Sequence, residues 1–352
     1  MNLPDTQKRV YRFLSALEAF EAGWETPASH DKTSVVHTTN QSVVFLAGNY
    51  AYKLFKAIHR HRDNTTLAAR LENAQLELAA NHVLAAELYI GIQAVVEQPD
   101  QSLVLVDLGD EGPRTVLDYV VKMHRFNDEE LLYMRLFEKK LTKRDLFKLG
   151  KRVATYHTQQ APVDDAACGP YEAFYRDFAR TIGYFVEKLP EDTQKAAVHK
   201  LLAPGQELIR ARQSDFMARS GKRCIIHGDL DFGNITTFNG KILPFDAQVL
   251  LGDRAEDPAK DLAFMLAPLL MYGEHRLAIA LINGYQEVAR DATLMHVLPF
   301  WVAYAAIVRG GSWFSRADVT CNRQEANHLK GYANMFFTLA KALLTERVRL
   351  YP

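Results

Sequence analysis

Ile225-Ile226-His227-Gly228-Asp229-Leu230-Asp231-Phe232-Gly233-Asn234-Ile235, followed by Leu243-Pro244-Phe245-Asp246, is the stretch on which the fold turns. Two β-branched residues lead into a polar turn that carries Asp229 and then Asn234. A second apolar run, Lys241-Ile242-Leu243, ends on Asp246. The pattern reads as a short strand, a polar loop and a β-hairpin that aim three oxygen-bearing side chains at one spot. Such a set suits phosphoryl transfer: Asp229 can take a proton from an attacking hydroxyl, while Asn234 and Asp246 can hold hard cations bridging nucleotide phosphates.

Upstream, three strand-like runs, Ser34 to His37, Ser42 to Leu46 and Tyr50 to Phe55, follow a helical pattern over residues 6 to 22. Lys53 lies on the third strand, on one face with Ala51 and Phe55, and strand alternation sends Lys56 to the opposite face. The segment Asn64 to Leu88 contains neither Pro nor Gly and carries a helical stripe from Leu67 to Leu84. Glu72, Glu77 and Glu87 all lie on it. Two more strands, Ile92 to Glu97 and Leu103 to Leu108, precede an extended run from Asp118 to Phe126. After Asn127 the character is helical: Asp128 caps a helix to Phe137, and Thr142-x-x-Asp145 opens another that ends near Gln160. Further helices follow over Tyr171 to Leu189, Glu191 to Arg219, Asp261 to Met271, His275 to Arg290, Thr293 to Val308 and Gln324 to Val348, with Gly310-Gly311 read as a break. His157 and His227 read as supports, and Asp261 as a buttress of the polar loop.

These residues and their order resemble the aminoglycoside phosphotransferase family, a small-molecule branch of the protein-kinase-like fold. The resemblance runs from about Thr33 to Ala263, and Asp253-Arg254 and Asp257-Pro258-x-x-Asp261 continue it. It implies an α+β, two-lobed protein-kinase-like fold. A small antiparallel-sheet lobe with an N-terminal helix spans 1–117, a hinge 118–126, and a mainly helical lobe 127–352. It implies ATP and Mg²⁺ as cofactors, with Asp229 as catalytic base and Asn234 and Asp246 as metal ligands. Lys53, braced by Glu77 in the motif Glu77-Leu78-x-x-Asn81-x-x-Leu84, would hold the phosphates. Val121 and Met123 would meet the adenine edge.

Two departures stand out. The turn Thr38-Thr39-Asn40-Gln41 lacks glycine, so phosphate cover falls to backbone amides and hydroxyls. Asp231 stands near a position where protein kinases carry Lys, and a negative charge there points weakly to a cationic acceptor. Gly228 replaces the Arg of many protein kinases, which argues against control by a phosphorylated activation loop.

The 352 residues suffice for one two-lobed unit or two domains. Lys+Arg and Asp+Glu both number 42, so no net field recruits nucleic acid or an acidic membrane. Cys168, Cys224 and Cys321 form no CxxC pair and read as reduced thiols. Met1-Asn2-Leu3-Pro4-Asp5 lacks a basic-then-apolar leader, and no run of ~18 apolar residues is evident. The expectation is a cytoplasmic kinase that phosphorylates a hydroxyl of a small molecule, with a protein partner left open. Three alternatives stand beside it: a nucleotide-binding regulatory module, a kinase or nucleotidyl transferase acting on a protein, and a metal-dependent hydrolase. The hydrolase would want more histidine ligands than this loop offers.

Overall fold

A computed structural model of the chain describes residues 4–17, 35–39, 41–59, 63–162, 170–189, 192–247 and 256–345. Thr33, Ser34, Asn40, Cys168, Asp253, Arg254, Val348 and the end of the first expected helix lie outside these residues. The elements run α1 (Asp5–Ser15), β1 (Val35–Thr38), β2 (Ser42–Ala47), β3 (Tyr50–Phe55), α2 (Leu67–Ala85), β4 (Tyr89–Glu97), β5 (Leu103–Asp107) and β6 (Thr115–His124). Helices α3 (Leu132–Phe137), α4 (Lys143–Gln159), α5 (Pro170–Lys188), α6 (Asp192–His199), α7 (Leu202–Ala211) and α8 (Gln213–Met217) follow. The chain then forms the hairpin β7 (Ile235–Phe238) and β8 (Lys241–Pro244). It ends with α9 (Ala259–Met271), α10 (His275–Ala289), α11 (Leu294–Val319) and α12 (Arg323–Leu344).

Two compact units result. The first is Met1–Met134 with Ile235–Val249, and the second is Arg135–Asn234 with Leu250–Pro352. The hairpin that carries Asp246 therefore belongs to the sheet-bearing unit, although it follows the polar loop directly in sequence.

In the first unit the sheet is antiparallel in the order β1-β2-β3-β6-β4-β5. Strand alternation sorts its side chains into two cores. Tyr52, Leu54 and Val120 pack with Val10 and Leu14 of α1. Phe55 and Val121, one residue on, pack with Ala74 and Ala85 of α2 and Leu243 of β8. Helix α2 starts where Thr66 accepts a hydrogen bond from the Ala69 N–H, a conventional N-cap, three residues inside the expected span. Helix α1 is tied down by Gln7, whose Nε2 donates to Phe55 O (2.7 Å) and to Asp118 (2.9 Å), while Arg70 Nε donates to the other Asp118 oxygen at 2.7 Å. Burial pushes the Asp118 carboxyl up, against the Arg70 hydrogen bond.

In the second unit the Thr142–Asp145 capping box starts α4 as its residue pattern predicts. Asn127, not Asp128, caps the start of the preceding segment: a 3₁₀ turn occupies Asp128–Glu130, and α3 begins only at Leu132. The largest difference from the sequence reading is α11, which runs unbroken through Gly310-Gly311 to Val319. The two glycines are close-approach positions. A Cβ on Gly311 would meet the Phe185 ring at 2.0 Å, and one on Gly310 the Phe337 ring at 2.8 Å. Phe314 accordingly lies inside the helix and stacks on Phe337. Among the described residues α11 alone is long and apolar enough to cross a membrane. The share of its apolar window buried within the protein is 67%, the signature of a core helix. The α5 aromatics Phe174, Phe178 and Phe185 are core side chains.

Candidate active site

Within the first unit, Lys53 sits on the β3 face that looks toward α2, and this parity separates it from Lys56. Lys53 Nζ donates to Glu77 Oε1 at 2.8 Å and to Asp246 Oδ1 at 2.6 Å. Lys56 Nζ instead donates to the Thr39 carbonyl. Of the other two candidate carboxylates on or near α2, Glu72 is exposed and Glu87 pairs with Lys241 at 2.7 Å. Burial works against the Lys53 charge, but the Asp246 and Glu77 carboxylates more than offset it and raise its pKa above the ordinary range.

Asp246 itself adopts φ +60°, a left-handed conformation that a non-glycine residue rarely holds without support. Support comes from two buried side chains. The Asp246 N–H donates to Tyr89 Oη at 3.1 Å, and the Ala247 N–H donates to Asn81 Oδ1 at 2.8 Å. Asn81 also donates to the Glu77 carbonyl one helical turn back, at 2.9 Å.

Val121 and Met123 do not offer an open backbone edge. Strand β6 is interior: Val121 pairs with Lys53 on β3 and Ile92 on β4, and Met123 with Ala51 and Tyr89. Beyond them, the N–H groups of His124 and Arg125 donate to Leu88 O and Asn49 O. Phe126 is the first residue past those bonds, so an adenine edge expected at Val121 and Met123 would have to be met further along the chain. The glycine-free turn also differs from expectation. Thr39 Oγ1 accepts from the amides of Gln41 (3.2 Å) and Ser42 (3.0 Å), so those amides close the turn.

Within the second unit, the polar loop is built around Gly228, whose φ of +82° is easy for glycine and strained for the Arg found there in many protein kinases. Asp261, in the first turn of α9, accepts from the amides of His227 (2.7 Å) and Gly228 (3.0 Å). His157 Nε2 lies 3.0 Å from Asp261 Oδ2, and because a carboxylate only accepts, that nitrogen carries the hydrogen. Burial opposes the Asp261 charge. The hydrogen bond and charge of His157, with the charge and amide of His227, still hold its carboxyl below the usual range. Both histidines are therefore supports, as read from the sequence, and Asp261 is the buttress.

Asp229 is gripped at both oxygens. Arg309 Nη2 donates to Oδ1 at 3.1 Å, and Asn234 Nδ2 donates to Oδ2 at 3.0 Å. Arg309 Nε lies 3.1 Å from Asp231 Oδ2, a charge contact, while Asp231 Oδ1 accepts the Gly233 amide at 2.9 Å. Asp231 thus shares the Arg309 charge with Asp229, which offsets part of the negative charge behind the expectation of a cationic acceptor. Arg309 escaped the sequence reading because the expected helix stopped at Val308. The only signal was a cation beside two glycines, and no spacing rule connects it to a carboxylate some eighty residues earlier.

Among the described residues no group of three or more His, Cys, Asp or Glu side chains could hold a metal. Magnesium carried by nucleotide phosphates does not need one, because it keeps waters and phosphate oxygens and takes one or two protein oxygens. The donor types fit. The Asn234 nitrogen is committed to Asp229, which leaves its amide oxygen for a cation. The Asp246 carboxylate is 46% exposed and fixed by its turn.

Comparison with known proteins bears on the fold. No protein-family model matches the chain. An uncharacterised protein of Mycobacterium tuberculosis (strain ATCC 25618 / H37Rv) is 24% identical over 293 residues, covering 80% of this chain and 55% of its own length. The chain thus spans about half the length of the curated relatives it matches. A glucosamine kinase structure superposes with TM-score 0.51 at 14% identity, covering 95% of this chain and 81% of that one. A choline/ethanolamine kinase family protein from Mesorhizobium loti gives 0.50 at 12% identity, covering 97% and 99%. The chain has a protein-kinase-like fold. It is the α+β fold that the resemblance to aminoglycoside phosphotransferases implied, and at these identities the kinase-like likeness is one of fold alone.

Proposed function

We propose that the chain is an ATP- and magnesium-dependent phosphotransferase that moves the γ-phosphate to a hydroxyl of a small molecule. One observation carries the reading. Lys53 is held by two carboxylates 24 and 193 residues away, Glu77 and Asp246, to which the resemblance gives the roles of lysine brace and metal ligand. In this reading Lys53, oriented by Glu77, binds the phosphates, and Asp246 and Asn234 supply oxygen ligands to magnesium. Magnesium supplies neutralisation of the phosphate charge. Asp229, with both oxygens already positioned, orients the acceptor hydroxyl and accepts its proton as the new O–P bond forms. The bond between the γ-phosphorus and the β-bridging oxygen breaks, and ADP leaves.

The test is transfer of label from γ-labelled Mg-ATP into a bacterial metabolite extract. A labelled small molecule is the expected result and would hand over the acceptor for identification. Label on protein would overturn the small-molecule reading. Nucleotide binding without any transfer would favour a regulatory module.

Arg309 gives a second expectation. Arg309→Met removes a charge-assisted hydrogen bond from Asp229 and leaves Asp231 without its countercharge, and such bonds are worth roughly 1.5–3 kcal/mol. Transfer to the identified acceptor is expected to fall about 10- to 150-fold with nucleotide affinity unchanged. Arg309→Lys, which keeps the charge but not the fork, should recover part of it. An unchanged rate in Arg309→Met would show that Asn234 alone fixes the carboxylate.

A further inference from the structure

Helix α2 reaches the Asp246 turn twice. Glu77 takes one bond from Lys53, which in turn bonds Asp246. Asn81, one helical turn further along the same face, accepts directly from the Ala247 N–H at 2.8 Å. Tyr89, at the start of β4, accepts from the adjacent N–H, that of Asp246, at 3.1 Å. Both side chains are buried, Asn81 fully and Tyr89 at 3% exposure.

Nothing in the hydrophobic pattern of α2 calls for a buried asparagine. Asn is a poor helix former, and a buried amide is tolerated only when its polar atoms are satisfied. Here the amide nitrogen returns to the Glu77 carbonyl and the amide oxygen is given to the turn. The turn needs that help. Successive N–H groups around a left-handed residue point into a common concavity and attract an acceptor. If neither N–H were bonded, Asp246 would relax toward an ordinary φ, and its carboxylate would swing away from where the turn now aims it.

We propose that Asn81 and Tyr89 are positioning residues that lock the Asp246 turn from α2 and β4, and so set how strongly magnesium adds to nucleotide affinity. The inference rests on the proposed function, because it takes Asp246 as the magnesium ligand. Both would act from behind the turn rather than as ligands. Their effect passes through the Asp246 and Ala247 main chain. The same helix thereby fixes both the lysine-bracing carboxylate and the metal-binding turn, so a shift of α2 would disturb the two together.

The experiment measures binding of a non-hydrolysable ATP analogue by calorimetry, with and without magnesium. It compares wild type, Asn81→Leu, Tyr89→Phe and the Asp246→Ala reference, with thermal midpoints as a check on folding. Tyr89→Phe removes one hydroxyl and keeps the buried ring, so it remains informative if Asn81→Leu folds poorly. Wild type is expected to bind more tightly with magnesium. Each variant should lose about tenfold of that gain while its metal-free affinity holds, and Asp246→Ala should lose the gain entirely. Variants that keep the wild-type gain would overturn the proposal. So would variants whose affinity falls equally with and without magnesium, which is the mark of a merely structural role. If wild type binds the analogue equally well with and without magnesium, the metal assignment fails and this proposal with it. If wild type binds no nucleotide at all, the proposed function itself is what fails.

Discussion

Asp229→Asn is expected to lower γ-phosphate transfer by about 10²- to 10⁴-fold while leaving nucleotide affinity at the wild-type level. Two losses combine. The amide cannot accept the proton of the attacking hydroxyl. It also offers only one oxygen where two donors now bind, Arg309 at Oδ1 and Asn234 at Oδ2. Whichever way the new amide is turned, one N–H₂ group faces another donor, so the side chain loses its position as well as its charge. Nucleotide binding should survive because Lys53, Glu77 and Asp246 make their contacts within the other compact unit. The measurement is transfer to the identified acceptor in single turnover, with analogue binding in parallel. A variant that keeps more than about a tenth of wild-type turnover would remove Asp229 from the role of base. A variant that loses nucleotide affinity would show that its carboxylate acts on the metal rather than on the acceptor.

Much of this site could be read before any coordinates because its parts are local. Asp229 and Asn234 share one turn, and Asn234 bonds both the carbonyl and the carboxylate of Asp229. Strand alternation separated Lys53 from Lys56, and the resemblance chose Lys53 between them. Asp261 was legible as a buttress because it stands near a helix start in a segment that continues the resemblance. What escaped depends on pairings that periodicity cannot encode. The resemblance put an adenine edge at Val121 and Met123, but the residues alone read as a buried strand, and both belong to the interior strand β6. A glycine pair looks like a helix break unless the rings of Phe185 and Phe337 are seen to occupy the space where side chains would go. Asp231 looked like an unbalanced charge because Arg309, the cation it shares with Asp229, comes from α11. In each case the missing information was which distant element is the neighbour.

Asp261→Asn is the second large effect, and it tests the support beneath the catalytic loop rather than the chemistry. The Asp261 carboxylate is buried and takes three hydrogen bonds, from the His227 and Gly228 amides and from His157. An amide of the same shape has one accepting oxygen, so at least one of these buried donors is left facing an N–H₂ group. Losing a hydrogen bond to a charged carboxylate costs about 1.5–3 kcal/mol. Urea unfolding should show a loss of that order, and the His227 and Gly228 amides should exchange faster with solvent. Transfer should fall too, because Gly228 immediately precedes Asp229. The pH dependence has a definite sign. The native Asp261 carboxyl titrates below its ordinary value. Its contribution is therefore complete above about pH 4 and is lost as pH falls through the depressed native value. Wild type should lose this stability on acidification, whereas Asp261→Asn, which has no carboxylate to protonate, should show a shallower acid dependence. If the two proteins lose stability in parallel below pH 4, the loop is held by something other than this charge, and Gly228 rather than Asp261 becomes the residue that shapes it.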